Sequence, residues 1–388
     1  MDRGDTDGTG EPEPDLQVVR PARTRSKDRP WGAIAVAVVA VVVLGVGAVV
    51  ASIGGASDPV SEDADVAAEV TVAPTTAPTT TTEPVPDGPI APLTGVQHWA
   101  VDAERLARRA LVAKVDNDPK AMPQRGLGEA DVVIEVRVEG ISRFMAVFHS
   151  TTPSEVGPIR SARTSDPDLL AMMSDPLFAW SGGNTATVRA MRDVPWVRNV
   201  DPDSMREVYS RSSDRRAPHN LLLDAPALLG AAEDDGERGS APAPLFEYRV
   251  DDAAPAGTEV AGFEVPVGSS LAGFAWSAER AGWLRWTNGQ VHQDQAGEQL
   301  APANVVVLET DYVASEADRR SPEAVTLGSG SAWIFTDGRM IEATWSREDR
   351  HRPWTLTALD GSPVALTPGS TWVELPARDE APRLLPAT

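Results

Sequence analysis

The chain contains no cysteine among its 388 residues, and lysine occurs at only three positions. The absence of cysteine excludes disulfide bonds, thiolate metal sites, a cysteine nucleophile and a lipid-modified cysteine. Positive charge is also scarce, since 35 lysines and arginines stand against 57 aspartates and glutamates and leave a net charge of −22. A surface of that sign repels polyanions, so we expect no nucleic-acid partner and anion binding only at local arginine clusters.

Motifs for metals and cofactors are missing as well. None of the five histidines shows the His-x-x-x-His or His-Glu-x-x-His spacing that zinc sites use. No Gly-Lys-Ser or Gly-Lys-Thr loop is present to cradle the phosphates of a nucleotide. We therefore expect neither a cofactor nor a dedicated metal site.

One long hydrophobic run lies near the N-terminus. Ala33 to Ile53 carries no charge, and as a helix it would span about 32 Å, close to the roughly 30 Å core of a bilayer. Basic residues precede the run and acidic residues follow it, which places the N-terminus in the cytoplasm. We predict a disordered cytoplasmic tail at 1–30 and a single-pass transmembrane helix at 31–53, with the rest of the chain outside. A cleaved signal peptide is the alternative, although the run is longer than its typical core of about 7–15 residues.

The segment 54–92 is rich in proline and threonine and contains Ala-Pro-Thr-Thr-Ala-Pro-Thr-Thr-Thr-Thr-Glu-Pro. Such a composition cannot bury a hydrophobic core, so the segment is expected to be extended and solvated. We interpret it as a spacer that carries a folded head away from the membrane.

The region 93–232 has the pattern of an α/β domain. Hydrophobic and polar residues alternate from Ala130 to Val138, which predicts a strand with one buried face, and Gly140 turns the chain into a second strand. Further strands are predicted at 111–115 and 177–180, and helices at 167–173, 185–192 and 224–232.

The region 245–376 has a different composition, with short runs of valine, threonine and aromatic residues separated by glycine, asparagine and proline. Asn288-Gly289 and Asp337-Gly338 are typical hairpin turns, because both residue types tolerate positive φ. We predict a mostly antiparallel β domain, a barrel or rolled sheet, followed by a loose tail at 377–388. The fold class is therefore α+β. Most of the 11 tryptophans lie in this half, where they either fill the core or stack on sugar rings.

Several motifs together resemble a known family. Val-Ala-Lys-Val-Asp-Asn, Ala-Asp-Val-Val-Ile-Glu, Val-Gly-Pro-Ile-Arg-Ser-Ala-Arg, Ser-Gly-Gly-Asn and Ala-Pro-His-Asn occur in that order, and Leu-Thr-Pro-Gly-Ser-Thr-Trp-Val-Glu-Leu follows in the second half. They are similar to motifs of the YerB-like envelope proteins of Gram-positive bacteria, a two-domain family of unknown function, over about residues 90–376. The resemblance implies an extracytoplasmic, membrane-attached protein, but it brings no established reaction. Many relatives look like lipoproteins, whereas this chain lacks the cysteine.

The stretch from Val156 to Asp166 carries the most specific chemistry. It places Arg160 and Arg163 at the start of a predicted helix, where two guanidinium groups would bind a carboxylate or phosphate. Other polar residues fall at predicted strand ends or beside glycines, where sites commonly form. The candidate ligand-binding residues are Asp116, Asn117, Arg143, Arg160, Arg163, Asn184 and Asn220, and the candidate acid/base residues are Glu135, Glu139 and His219.

Two functions are compatible with this cluster. The favoured one is a non-catalytic envelope protein that binds an anionic cell-wall or surface component, or a partner protein. The alternative is an enzyme, a hydrolase or transferase, that acts on peptidoglycan or a related glycopolymer and uses Glu135, Glu139 and His219. A serine triad of Ser161 and His219 with an aspartate is less favoured, because no Gly-x-Ser-x-Gly elbow is present.

Each candidate also has a purely structural interpretation. Glu135 and Glu139 could form ion pairs with nearby arginines, and the His219 ring could simply anchor its loop. A sensor that signals to a cytoplasmic regulator is a third idea, which the short N-terminal tail weakens. Whether the arginines point toward solvent or into the fold is what distinguishes a binding site from a structural one.

Overall fold

The computed structural model describes residues 86–234, 239–250 and 255–386, with the side chains of 233 and 234 left out. These residues belong to one compact unit, Thr80–Thr388. The predicted tail at 1–30, the membrane span at 31–53 and most of the linker at 54–92 lie outside the described residues. Within the described part, no helix has the length and hydrophobicity needed to cross a membrane.

Strands dominate the described residues, and helices are few and short. The first half contains β1 (Leu111–Asp116), β2 (Val132–Arg137), β3 (Ser142–Phe148), β4 (Glu155–Val156), β5 (Leu177–Ala179), β6 (Arg198–Asn199), β7 (Tyr209–Arg211) and β8 (Leu221–Asp224). The second half contains β9 (Glu247–Tyr248), β10 (Thr258–Glu259), β11 (Gly262–Val267), β12 (Ser270–Ser277), β13 (Gly282–Thr287), β14 (Gln290–Val291), β15 (Asn304–Leu308), β16 (Asp311–Ala314), β17 (Pro322–Val325), β18 (Gly328–Thr336), β19 (Arg339–Arg347), β20 (Thr355–Ala358), β21 (Ala365–Leu366), β22 (Thr371–Leu375) and β23 (Arg383–Leu384). The α-helices are α1 (Ala103–Leu106), α2 (Asp166–Leu170), α3 (Thr185–Arg192) and α4 (Ala225–Asp234), and short 3-10 helices lie at Ala100–Asp102, Pro119–Ala121, Leu127–Glu129, Ala171–Met173 and Arg206–Val208.

One large sheet runs through both halves of this unit. Its strand order is β10-β19-β18-β15-β22-β2-β3-β1-β5-β6, and β20 adds to β19, which makes 11 strands. Strand β22, from the C-terminal half, pairs in parallel with both β15 and β2. The predicted regions 93–232 and 245–376 therefore share a sheet, an arrangement that a separate barrel or rolled sheet does not describe. The parallel pairs β1–β5 and β5–β6 give the N-terminal part its α/β character.

A second sheet, in the order β14-β13-β12-β11-β23, covers part of the large one. Hydrophobic side chains on alternate positions of the large sheet belong to two separate cores, so both faces of its central strands are buried. The expectation that β2 has one buried and one polar face is wrong, because Val132 to Val136 are all buried. The predicted tail at 377–388 contains β23, which pairs with β11.

Local predictions agree well with the structure. The β2–β3 hairpin forms in antiparallel register, and α3 occupies the residues predicted for it. Asn288, Gly289, Asp337 and Gly338 all have positive φ, as hairpin turns of this kind require. In the second half, four tryptophans are buried in the core: Trp283, Trp345, Trp354 and Trp372.

Candidate functional site

The site forms where β1 ends. The segment that follows β4 lies between β1 and β8, because Asp116 N donates to Pro158 O (2.9 Å) and Ile159 N donates to Leu221 O (2.7 Å). Arg160 N in turn donates to Lys114 O (2.8 Å). The backbone of this segment therefore brings Arg160 beside the last residue of β1.

Asp116 is the centre of this arrangement and is fully buried. Its Oδ2 lies 2.8 Å from His219 Nδ1 and 3.0 Å from Arg160 Nε, and its Oδ1 accepts from Asp118 N (3.1 Å). A carboxylate only accepts hydrogen bonds, so Nδ1 of His219 carries the proton. The side chains of His219 and Arg160 keep 13% and 20% exposure. His219 Nε2 has no hydrogen-bond partner among the residues that the structure describes.

Arg163 is held by Glu139. Its Nε donates to both carboxylate oxygens (2.9 and 3.1 Å) and its Nη2 to Oε2 (2.7 Å). Burial favours the neutral form of Glu139, but hydrogen bonds led by that from Arg163 outweigh it and lower the pKa of this carboxyl to about 2. Glu139 is thus ionised at neutral pH. Arg163 already has a bidentate partner, and Glu139 has no proton to give as an acid.

A buried ion pair that the sequence analysis did not predict lies beneath these residues. Lys114 Nζ and Asp166 Oδ1 are 2.6 Å apart, and both side chains are fully buried. Asp166 Oδ2 also accepts from Arg163 N (2.7 Å), so the pair fixes the backbone at Arg163, within the stretch from Val156 to Asp166. Burial lowers the pKa of Lys114, and Asp166 opposes that shift. Lys114 was recognisable as a charged residue within a hydrophobic strand, but its partner is distant in sequence.

Arg143 has no salt-bridge partner among the residues that the structure describes. It is 5% exposed, its Nη1 donates to Ser161 O (2.8 Å) and its Nε has no partner. Burial and the nearby charges of Arg163 and Arg160 lower its pKa to about 10, so it stays charged at neutral pH.

We refer to this cluster as the arginine site. It consists of Lys114, Asp116, Glu139, Arg143, Arg160, Arg163, Asp166 and His219. With Lys114 counted in its charged form, four cations in it stand against three carboxylates, which leaves an excess of one positive charge without His219. Chemically, the arrangement can bind an anion through Arg143 and Arg160, and it can accept a proton at His219 Nε2.

Glu135, a candidate acid or base, lies elsewhere in the interior. It is fully buried and accepts from Arg285 Nη2, Ser142 Oγ and Asn117 Nδ2. Arg285 Nη1 also donates to Glu374 Oε1 (2.8 Å), and Glu374 is the register partner of Glu135 on the neighbouring strand β22. Burial and the adjacent Glu135 raise the pKa of Glu374 well above its usual value. Such burial gives Glu135 no direct access to a polymer.

A chain of hydrogen bonds connects the buried Glu135–Arg285 pair to the arginine site. Arg285 Nε donates to His292 Nδ1 (3.1 Å), and His292 Nε2 donates to Gln124 Oε1 (2.9 Å). Gln124 Nε2 then donates to the backbone oxygen of Asp116 (3.0 Å). Burial and Arg285 lower the pKa of His292 well below its usual value, so the ring is neutral.

The three candidate asparagines make structural contacts. Asn117 Nδ2 donates to Ser142 Oγ (2.8 Å) as well as to Glu135. Asn184 caps α3 through Thr187 N (2.8 Å). Asn220 accepts from Arg211 Nη1 (2.8 Å), and its Nδ2 lies 3.1 Å from both Ser212 O and Arg215 O. Asn220 therefore organises the loop that presents His219, whereas Asn117 belongs to the Glu135 network.

The structure thus brings Asp116, Glu139, Arg143, Arg160, Arg163 and His219 together and leaves Glu135 and the asparagines outside the arginine site. Sequence reasoning missed Lys114, Asp166 and the internal partners Arg285, His292 and Glu374. Arg285 stands between Leu284 and Trp286 in a strand, and a charge in that setting signals a buried partner. Among the described residues, no group of three or more histidine, aspartate or glutamate side chains is placed to hold a metal ion.

Comparison with known proteins gives a consistent result. Residues 93–238 and 263–373 match the models described as the N-terminal and C-terminal domains of the protein of unknown function DUF3048. YerB, a candidate lipoprotein of Bacillus subtilis (strain 168), is 27% identical over 296 residues, which are 74% of this chain and 85% of that protein. The crystal structure of YerB from Bacillus subtilis matches with a TM-score of 0.64 at 26% identity and covers 74% of this chain and 95% of that chain. The resemblance seen in the motifs is confirmed, and the chain belongs to the two-domain YerB-like family of proteins of unknown function.

Proposed function

We propose that this chain is a membrane-attached, extracytoplasmic envelope protein that binds an anionic group of a cell-wall or surface component at the arginine site. The hydrophobic run at 31–53 and the charge difference across it support attachment by a single-pass helix with the N-terminus in the cytoplasm. The name of the relative YerB, a candidate lipoprotein, supports an envelope location by a different anchor.

The observation that carries the proposal is that Arg143 is buried without a salt-bridge partner among the described residues, with Asp116 and Glu139 acting on it only from a distance. A guanidinium buried without a carboxylate partner is costly, and an anion that enters the site would relieve that cost. Arg160 is partly exposed and shares its carboxylate, Asp116, with His219. Arg160 can therefore contact the same anion, because its guanidinium group has further N–H donors that are not directed at Asp116. The overall charge of −22 disfavours anion binding elsewhere than at local clusters of positive charge such as this one.

We expect Arg160→Ala and Arg143→Met each to weaken the binding of inorganic phosphate by roughly ten- to a hundredfold, since a charge-assisted hydrogen bond contributes about 1.5–3 kcal/mol. Arg192→Ala is the matched control, because Arg192 is a half-exposed arginine of α3 that pairs with Asp203 (3.2 Å) and lies outside the site. Titration calorimetry on the full chain in mild detergent measures the affinity, and circular dichroism checks folding. The same series can be repeated with purified wall material in a sedimentation assay. Binding that is unchanged in both folded variants would contradict the proposal.

A second candidate function is catalytic, and the Asp116–His219 pair favours it. Asp116 holds the Nδ1 proton of His219, which leaves Nε2 as a proton acceptor at a partly exposed position. In a hydrolase or transferase acting on a glycopolymer, Nε2 would take a proton from water or a hydroxyl, while Arg143 and Arg160 would stabilise the developing negative charge. Glu139 is held as a carboxylate by Arg163, so His219 is the residue that would carry such a reaction.

If the enzyme hypothesis is correct, His219→Gln lowers the turnover of purified wall fragments by roughly 10²–10⁴-fold, the usual contribution of a general base. Product release from the fragments, followed by chromatography, provides the measurement. His351→Gln is the control, because His351 is exposed on another loop. Equal turnover by wild type and His219→Gln, or no turnover by wild type, leaves binding as the sole function of the site.

A further inference from the structure

A groove of about 290 Å³ lies next to the arginine site. Its lining includes the end of β2, the β2–β3 turn and the loop between β16 and β17. The residues that matter for its chemistry are Arg137, Glu139, Tyr312, Arg319, Arg320 and Ser321. Three of these six are arginines, and the single carboxylate among them, Glu139, is already bound to Arg163.

Two of the arginines have no carboxylate partner in the described residues. The guanidinium of Arg137 lies over the ring of Tyr312, at 5.7 Å from its centroid, and forms no salt bridge there. Arg319 is exposed and likewise has no carboxylate within ion-pair distance in the described part of the chain. Arg320 pairs only with the nearby Asp318 (3.4 Å), at an exposed position where such a pair contributes little. The groove therefore carries an excess of positive charge in a strongly acidic protein.

An unused hydrogen-bond donor also lines the groove. Ser321 is 4% exposed, and its Oγ has no hydrogen-bond partner. The hydroxyl is near enough to Glu139 to help lower the pKa of that carboxyl, but it lies outside bonding geometry. A buried hydroxyl without a partner is uncommon in folded proteins, because its desolvation is not repaid. A ligand oxygen in the groove would satisfy it.

The groove and the arginine site meet at Glu139. Glu139 lines the groove and binds Arg163, and the charge of Arg163 acts on Arg143. An anion at Arg143 and Arg160 and a second anion at Arg137 and Arg319 would therefore lie on opposite sides of the Glu139–Arg163 pair.

We infer that the groove is a second anion subsite, and that the ligand is a linear polymer with a negative charge on successive repeats. This inference rests on the proposed anion binding at the arginine site and specifies the kind of ligand. A single small anion fills one subsite, whereas a polymer fills both and gains affinity because its second contact is intramolecular.

Orthophosphate and long-chain polyphosphate are suitable probes, since they share the phosphate group and differ in the number of charges. For the full chain in mild detergent, we expect polyphosphate to bind roughly a hundredfold more tightly than orthophosphate, an effect of linked subsites. The double variant Arg137→Gln/Arg319→Gln should lose most of this gain, while its arginine site keeps the wild-type affinity for orthophosphate. Arg192→Gln/Arg378→Gln, which removes two exposed arginines elsewhere, should keep the gain and so controls for net charge.

The outcomes separate the two proposals. Loss of the polyphosphate gain in the groove variant alone supports the second subsite. A gain that persists in that variant, or that disappears equally in the control variant, overturns it and leaves the arginine site unaffected. Wild-type protein that does not bind orthophosphate overturns the proposed function and, with it, the groove as its extension.

Discussion

Replacement of Arg285 by methionine is expected to lower the free energy of unfolding by about 3–5 kcal/mol, the usual cost of breaking a buried ion pair. Arg285 and its partners Glu135 and Glu374 are all fully buried, so the variant leaves a carboxylate without a counter-charge. Arg285 also lies over the ring of Trp372, 4.1 Å from its centroid, a contact that methionine fills only in part. Urea denaturation of the full chain in mild detergent, followed by tryptophan fluorescence, measures the effect.

Two further variants test whether charge or packing is responsible. Arg285→Met/Glu135→Gln removes both charges and should lose less than the sum of the two single variants. Glu374→Gln changes a side chain that already holds a proton, so near pH 4.5 its effect should stay within about 1 kcal/mol, as for other near-isosteric changes in a core. If the double variant loses the full sum, packing rather than ion pairing explains the Arg285 result.

The same network has a defined pH dependence. The pKa of Glu374 is raised well above 4.5 by burial and by Glu135. Its contribution to stability is therefore fully present below about pH 4.5 and is lost as pH rises through the folded-state pKa. Relative to wild type, Glu374→Gln should gain up to about 1.4 kcal/mol in unfolding free energy per pH unit between about pH 4.5 and the folded-state pKa, and no more above it. A difference between the two proteins that does not change with pH would show that Glu374 is ionised in the fold.

Replacement of Lys114 by methionine is the second large effect that we expect, again about 3–5 kcal/mol. The change leaves Asp166 fully buried without its cation, since Lys114 Nζ is its 2.6 Å partner. Asp166 also accepts a hydrogen bond from the Arg163 amide, so a local displacement of the backbone at Arg163 should accompany the loss of stability. The denaturation midpoint of the full chain and its affinity for orthophosphate are the two readouts.

A double-mutant cycle separates the pair from the rest of the site. Asp166→Asn keeps an oxygen for the Arg163 amide but removes the charge, and Lys114→Met/Asp166→Asn should be more stable than Lys114→Met alone. The exposed pair Arg378–Asp311 provides a control cycle, in which a coupling of less than about 1 kcal/mol is expected. Equal coupling in the two cycles would contradict a special role for burial.

Much of the fold was predictable because it depends on local sequence. The β2–β3 hairpin follows from alternation and Gly140, α3 has its Asn184 cap next to a hydrophobic pattern, and the Asn288 and Asp337 turns follow from residues that accept positive φ. Most of the arginine site was also predictable as a set of residues. Asp116, Arg160 and His219 stand beside prolines or at a strand end, where polar residues must find partners within the fold.

The sequence by itself determined the shortage of cysteine and lysine, the acidic charge, the hydrophobic run at 31–53, the strand-rich composition of the head and the family. The tertiary structure decided what each charged residue does. In the sequence, Glu135 lies on the polar face of a predicted half-buried strand, but the second sheet covers that face and supplies Arg285 from a position 150 residues away in sequence. Ion pairing depends on which strands become neighbours, and β22 pairs with β2 across most of the chain. Folding also brings Glu139 to Arg163 and leaves Arg143 without a salt bridge among the described residues, so only the folded chain shows which arginines already have a partner.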